Sequence, residues 1–485
     1  MLNEQPDTWK DMGEALVDLT GIEAADGIDG DASRWVSELS DEYSRHSAHN
    51  RTLRDYYDGR VKVSDYGVTA DIENDQSCHW PQKAVDALAD RTRLLSITST
   101  DEAAASDIDA IERRNGIVSG YNRHLPVKFI YGCMAATVTK DGGGHARVRW
   151  HSAETFTALP SPDFDDGVVA GGLAIARRER TTWSAGRMVP TVVNLHTPGN
   201  IGEFRQVDSG HWTYEPGPVP EELPMLFVFS HNGKGTLAPF GQTRITKFVR
   251  TLTDDAIRCL WHMQVSGAFY SMAKLYMTGL TDEQFDSVMS KKSAYQLSRL
   301  LAMTMGPEGQ SPNIGQLSGN SPQPFIDELR ALACQFSGAT GVPLNSLGIV
   351  QDNPSSAEAI GAAREDICLV AERGIEDDKR TLARVLRAAL AVERNTTTGN
   401  LEGVDVLARF ASPMINSLAA RTDSAMKVAS IDGGFAGSDE FYEMVGFDEA
   451  TVEKLAADRR RAEAVSAVDA LMQANPRALE GGNAG

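Results

Sequence analysis

Apolar residues recur at helical spacing through Trp35, Leu39, Tyr43, Leu53 and Tyr57, with His46 and Asn50 on the same stripe, until Gly59 interrupts. The pattern predicts an amphipathic helix. Before it, an arm up to Gly30 is rich in Asp, Glu and Gly, with one short helix expected near Trp9 to Leu19. A second helix is expected from Pro81, with Val85, Leu88 and Ala89 on one face, and a third from about Asp107 to Leu125. From about Ala135 to Phe229 the period changes to two. Ala146 to Trp150, Leu173 to Arg177 and Thr191 to His196 alternate between Gly, Pro and Asp clusters, which predicts antiparallel strands and hairpins. Asp163 to Gly167 reads as a turn, because it lacks the regular acidic spacing and terminal Glu of a calcium loop.

Pro239 and Gly241 punctuate the chain, and a long helix is expected from Thr243 to Met272. Its stripe is Ile245, Val249, Leu252, Ala256, Leu260 and Met263, along a rod on the order of 45 Å. A stripe that long exceeds what a small domain covers, so packing beyond the subunit is expected. A compact insert follows, with strands at Lys274 to Thr278 and Arg299 to Met305, a helix from Thr281 to Met289, and glycine and proline breaks from Gly306 to Gly315. Pro322 and Pro324 open a second rod with Phe325, Leu329, Leu332 and Phe336 on its stripe, closing at Gly338 or Gly341 before Pro343. A loop bounded by Gly348 and Pro354 leads to a capping box, Ser355 with Glu358, and a helix running to about Arg394. Gly361 and Gly374 are its candidate kinks. A strand at Val404 to Phe410 and helices at Ser417 to Ser430, Ser438 to Val445 and Asp448 to Gln473 close the pattern, with a disordered tail expected from Asn475.

At 485 residues, several domains or one domain with large insertions are expected. No stretch has the roughly 18 uncharged apolar residues of a membrane span, and Met1 to Lys10 is polar, unlike a signal peptide, so a soluble chain made in a cytoplasm is expected. The five cysteines (Cys78, Cys133, Cys259, Cys334, Cys368) have no zinc-ribbon or CxxC spacing and are read as reduced thiols. Cys78 beside His79 is read as structural, since adjacent residues rarely ligate one metal alone. A net charge of −20 opposes tight nucleic-acid binding, which depends on cations displacing counterions from phosphates. It is compatible both with a surface that lets DNA slide and with no DNA contact at all.

The chemistry-bearing motifs are incomplete. Gly233-Lys-Gly-Thr236 lacks the Ser or Thr directly after Lys and the upstream Gly of a phosphate loop. Gly142 to Gly144 lacks the spaced glycines of a dinucleotide site, and there is no HExxH or GxSxG. Ser355 and Ser356 are explained by the helix cap. The acid pairs Asp254-Asp255 and Asp377-Asp378 are read as solvated helix faces. No catalytic residue, cofactor or metal site is expected.

The order of helix, strand-bearing insert, helix, Gly/Pro-bounded loop and long helix resembles the portal proteins of tailed bacteriophages, particularly the long-tailed branch. Trp35 through Tyr56-Tyr57-Asp-Gly59 is similar to the family's opening helix. Gly315-Gln-Leu317 with Pro324 to Leu332 is similar to its clip exit and descending stem. Gly341-Val-Pro343, Leu347-Gly348 and Asn353 to Ala359 are similar to its tunnel loop and following helix, and Ser412-Pro413 with Asp423 and Lys427 to the segment beyond. The resemblance covers about Arg34 to Arg460, and implies an α+β portal fold, mainly helical, with long stem helices, a β-containing wing and a small α/β clip. It divides the chain into an arm (1–30), wing (31–242), stem helix (243–272), clip (273–322), stem helix (323–342), tunnel loop (343–355), long kinked helix and wing (356–420), and crown with tail (421–485).

The resemblance implies a dodecameric ring at the portal vertex of the virion, assembled in the host cytoplasm. The ring serves as the channel for DNA packaging, head–tail joining and genome ejection. The implied partners are the terminase large subunit, a head-completion or adaptor protein, the major capsid and scaffolding proteins, and double-stranded DNA held weakly and without sequence preference; no membrane is involved. Ile349, Val350, Gln351, Asp352 and Asn353 would face the DNA, and Lys291, Lys292 and Tyr295 would carry clip contacts. The alternatives are another capsid or tail component without a DNA channel, and a packaging nuclease or ATPase, the latter weakened by the missing phosphate loop.

Overall fold

Asp29 starts the first helix, α1 (Gly30–Tyr57): its backbone is extended and its carboxylate accepts from the Ala32 N–H at 2.7 Å, relieving one unpaired donor of the first turn. The helix buries Val36, Leu39, Tyr43, Asn50, Leu53 and Tyr56. His46, expected on that face, is exposed and lies 2.8 Å from Glu42. The computed structural model describes residues 19, 21–64, 75–162, 168–184, 188–235, 238–270, 274–283, 285–286, 300–304, 313–317, 321–349, 365–414, 418–447 and 449–474. The expected arm helix (Trp9 to Leu19), the capping box at Ser355 and Glu358, Gly361 and the tail from Asn475 lie outside these residues, apart from Leu19 itself.

α2 (Trp80–Ala89) leads through strand β1 (Leu94–Ser99) to α3 (Glu102–Asn115) and α4 (Ile117–Tyr131). One helix was expected over Asp107 to Leu125; there are two. Gly116 takes a left-handed conformation (φ 60°) that ends α3, and the Glu112 carboxylate then accepts from the Ile117 N–H at 2.6 Å, capping α4. β1 was not foreseen.

The alternating region forms two antiparallel sheets, as its period requires. The strands are β2 (Cys133–Lys140), β3 (Ala146–Ser152), β4 (Phe156–Pro160), β5 (Val169–Arg180), β6 (Met188–Thr197), β7 (Asn200–Asp208), β8 (His211–Glu215) and β9 (Leu226–Ser230). One sheet has the order β3-β2-β9 and the other β4-β5-β6-β7-β8. α1 covers one face of the second, where Val36 and Leu39 pack with Leu173, Val193, Leu195, Phe204 and Trp212.

Next come α5 (Lys247–Tyr270), three short strands β10 (Lys274–Leu280), β11 (Leu300–Thr304) and β12 (Asn313–Leu317), then α6 (Gln323–Thr340) and α7 (Glu365–Glu393). β12 falls where only glycine and proline breaks were expected. α7 runs through Gly374 as one helix. β13 (Val406–Phe410) closes this unit by pairing antiparallel with β1, Leu94 opposite Phe410 and Ser99 opposite Val406. Residues Met1–Pro413 form one compact unit and Met414–Gly485 a second. The second contains α8 (Leu418–Ile431), α9 (Asp439–Val445, capped by Ser438) and α10 (Glu449–Ala474).

The main core holds a buried ion pair. Lys128 on α4 donates to both carboxylate oxygens of Asp378 on α7 at 2.6 and 2.8 Å, and the Tyr121 hydroxyl donates to the same carboxylate. Both charged side chains are 1% exposed. Asp377-Asp378, read as a solvated face, is therefore split: Asp377 is exposed, while Asp378 points inward because the apolar stripe of α7 includes its position. Tyr121 and Lys128 lie two helical turns apart on one face of α4. The Tyr121 ring meets Trp150 of β3, Phe229 of β9 and Phe410 of β13 with centroids 5.7–5.9 Å apart. Burial and the Asp378 charge push the Tyr121 hydroxyl well above its usual range, which keeps it a donor. Asp254-Asp255 is also corrected, since Asp254 is half-buried and accepts from the Tyr56 hydroxyl at 2.8 Å.

Removing one member of a buried pair strands the other charge, which costs about 3–5 kcal/mol. K128M should lower stability by that amount in denaturant melts, and K128M/D378L should recover a large part of it. A single variant as stable as the parent would contradict the geometry.

Buried histidines set a second expectation. His151 of β3 and His196 of β6 are buried close enough to act on each other, and desolvation pushes both down to about 3. His231 is likewise pushed to about 3 by burial. All three are neutral in the fold but take up protons near their ordinary value when unfolded. Their contribution is complete above pH ~6.5 and is lost as pH falls towards 3, by about 1.4 kcal/mol per pH unit for each histidine. Melts from pH 7 to 4 should show this slope, and H151Q/H196Q should flatten it.

Candidate functional site

The segment singled out by sequence is built as a stalk of two helices. Arg244, just before α5, donates from Nε to the Ala84 carbonyl at 2.9 Å and from Nη2 to the Thr340 carbonyl at the end of α6. Further out, the Cys259 thiol of α5 donates to the Phe325 carbonyl near the start of α6 at 3.2 Å. The two helices therefore run antiparallel. Strands β10–β12 connect their far ends: β10 is central, parallel to β11 and antiparallel to β12.

The stalk base is anchored by close backbone approach. Gly132, at the end of α4, has φ +94°, and a Cβ there would lie 2.7 Å from the Gln242 carbonyl carbon. Gly241 has φ +85° and faces the Gly132 and His231 backbone just as closely. Both positions require glycine. Burial lowers the Arg244 guanidinium to about 10, with Arg91 contributing. Burial raises the Cys259 thiol to about 11, with Glu328 adding to the rise, so the thiol stays protonated and acts as a donor.

Burial declines along α6, and the predicted stripe of α5 loses cover although Cys259, Trp261 and Val265 beside it stay buried. On α5, Val249, Leu252 and Ala256 are buried, whereas Leu260 and Met263 are only half-buried. On α6, Phe336 is fully covered, while Leu332, Leu329 and Phe325 are half-buried and Ile326 is exposed. The predicted stripes are real, and their base halves are covered within the subunit. The distal halves are not fully covered.

After α6 the chain turns at Gly341 (φ 68°), beside Ile367 in the first turn of α7. A short 3-10 turn, Leu344–Leu347, then leads to Ile349, whose side chain packs against the main core and whose N–H donates to the Leu344 carbonyl at 3.3 Å. Val350, Gln351, Asp352 and Asn353 lie outside the described residues, as do Lys291, Lys292 and Tyr295. Ile349 thus packs on the body where the described chain breaks off, and the chain resumes at Glu365 in the first turn of α7. Sequence reasoning did not find Arg244 or Lys128. The available signal was a cation at a position that helical spacing puts on the apolar face, as Lys128 is with Tyr121, Leu125 and Phe129. Among the described residues no three His, Cys, Asp or Glu side chains converge, and no helix is long and apolar enough to cross a membrane.

Comparison with known proteins bears on this arrangement. Residues 37–434 match the family model described as phage portal protein, SPP1 Gp6-like. The portal protein of Mycobacterium phage L5 is 27% identical over 338 residues, 66% of each chain. That of Mycobacterium phage D29 is 25% identical over 360 residues, 69% of this chain and 70% of the relative. The chain thus spans about two thirds of the length of the curated relatives it matches. Among solved structures, a chain in the virion of the native gene transfer agent particle aligns with a TM-score of 0.45 at 12% identity, over 82% of this chain and 93% of that one.

Proposed function

The chain belongs to the SPP1 Gp6-like family of phage portal proteins, and from that membership we propose that it is one subunit of a ring through which double-stranded DNA enters and leaves a phage capsid. The observation that carries this reading is the stalk whose apolar stripes lose cover with distance from the base. A neighbouring copy related by rotation supplies the missing apolar surface, and a head-to-tail contact of that kind closes into a ring. The dodecameric number, the assignment of stem, clip, wing and crown, and the virion location follow the family pattern. The role is structural rather than catalytic.

Within this reading, β10–β12 and the residues between them form the clip. It contacts the terminase motor during packaging and a head-completion protein afterwards, with Lys291, Lys292 and Tyr295 as anchors. The wing meets the capsid and scaffolding proteins. The loop beyond Ile349 faces the channel with Gln351, Asp352 and Asn353, polar or acidic groups without a Lys or Arg among them. Phosphates meeting such groups find no cation to hold them by counterion release, so contacts are brief and DNA can slide.

Negative-stain images of the purified chain should show rings with a central hole. Introducing L329D and L332D on the half-covered stripe should shift the population to monomers by light scattering. Filaments, shells or monomers from the parent chain would favour a virion component without a channel. In assembled rings, Q351K/D352K should slow packaging, most at low salt where phosphate attraction is least screened. Unchanged packaging by that variant would remove the loop from the DNA path.

A further inference from the structure

The two sheets of the β region enclose a cleft that the ring reading does not use. It is about 560 Å³, half open, and lies between the β2–β3 hairpin and the face of β5–β7 turned away from α1. Lys140, Arg147, Arg149, Arg177 and Arg205 line it, against the carboxylates of Asp141 and Glu203. In a chain of net charge −20, this concentration of cations stands out. Its internal pairing is incomplete. Arg177 reaches Glu179 at 2.8 Å and Arg205 pairs with Glu203. Asp141 uses one oxygen to accept from the Gly143 and His145 N–H groups of its own turn, at 2.9 Å each.

Lys140, Arg147 and Arg149 have no carboxylate within ion-pair distance among the described residues. Lys140 reaches only the Asn395 amide oxygen at 3.5 Å, and Arg149 donates to the Thr139 hydroxyl at 3.3 Å. Burial and the neighbouring Arg147 charge pull the half-buried Arg149 guanidinium below its usual value. Glu203 offsets part of this, and an anion entering the cleft would offset more of it at Arg149.

A separate observation indicates the kind of anion. Asn194 of β6 lines the cleft and is 7% exposed, and its Oδ1 is buried without a hydrogen-bond partner among the described residues. Asn194 thus offers the cleft an amide whose oxygen still lacks a donor. A phosphodiester backbone carries no donor, whereas every non-proline peptide unit carries an N–H. A DNA duplex is also a rigid convex cylinder that would touch only the rim. Four of the five cations are arginines, whose planar forks match carboxylates in pairs.

We propose that this cleft binds an extended acidic segment of a protein partner, its Asp and Glu side chains held by Lys140, Arg147 and Arg149 and a backbone N–H taken by Asn194. The site stands apart from the ring reading and survives its failure.

The test measures binding of a fluorescein-labelled Asp-Glu repeat peptide to the full chain, as monomer and as ring, by fluorescence anisotropy at low and moderate salt. An oligothymidylate of equal charge and an Asn-Gln repeat peptide serve as comparisons. The acidic peptide should bind and weaken with salt, and the Asn-Gln peptide should not bind. K140Q/R147Q, both exposed positions, should weaken acidic-peptide binding by about tenfold or more. N194L breaks no existing side-chain hydrogen bond, so it should keep the parent melting temperature while weakening the peptide more than the oligothymidylate. The proposal is overturned if the acidic peptide fails to bind or if K140Q/R147Q binds as the parent does. Oligothymidylate binding as tightly as the peptide and indifferent to N194L would mark a general anion site instead. Peptide bound by the monomer but excluded from the ring would assign the cleft to the contact between copies, and would equally overturn it.

Discussion

The main core of the larger unit is arranged around two opposite charges taken out of water together. Desolvating an ammonium and a carboxylate costs several kcal/mol each, and their attraction returns that only when geometry and remaining hydrogen bonds are satisfied. Lys128 meets the condition by reaching both oxygens of Asp378, with the Tyr121 hydroxyl as a further donor. The requirement is directional in a way that apolar packing is not. An aliphatic core tolerates α7 sliding or rotating slightly on α4; this pair does not. The surrounding strands inherit that register through the rings of Trp150, Phe229 and Phe410 packed on Tyr121.

The stalk depends on the same point. α4 ends three residues beyond Lys128 at Tyr131, and the next residue, Gly132, is where the base of α5 approaches. The Thr243 hydroxyl donates to the Ile130 carbonyl there, and the Arg244 N–H to the Phe129 carbonyl at 2.9 Å. A fixed α4 therefore fixes where α5 departs, and Arg244 transmits the position to α6 and α2. The direction of the stalk is set at its root, by backbone contacts too close to admit side chains.

Much of this organisation was legible in the sequence because it is periodic. The stripes of α1, α5 and α6 and the alternation of β3, β5 and β6 each announce an element through local spacing alone, although β5 and β6 are buried on both faces over much of their length. β1 was not legible: four of its six residues are at least partly exposed, and its one strand partner among the described residues, β13, lies some 300 residues away. The break at Gly116 depended on one residue's left-handed backbone, and Asp378 was misread because an acid within a charged run is ordinarily solvated. The loop and clip residues were reached only through resemblance. The side chains singled out there carry no periodicity of their own.

The separation between Lys128 and Asp378, 250 positions along the chain, also has a meaning in time. At synthesis rates of about 5–20 residues per second, the cation emerges roughly 12–50 s before its counter-ion. During that interval α4 has no α7 to close over it, and the β1 strand has no β13. The unit is thus a late folder, with its decisive contacts among the most distant in sequence. A nascent or prematurely ended chain keeps an open interior and lacks the fixed root from which the stalk departs. Synthesis past α7 and β13 therefore acts as a gate: a chain that stops short of them lacks the contacts that aim the stalk.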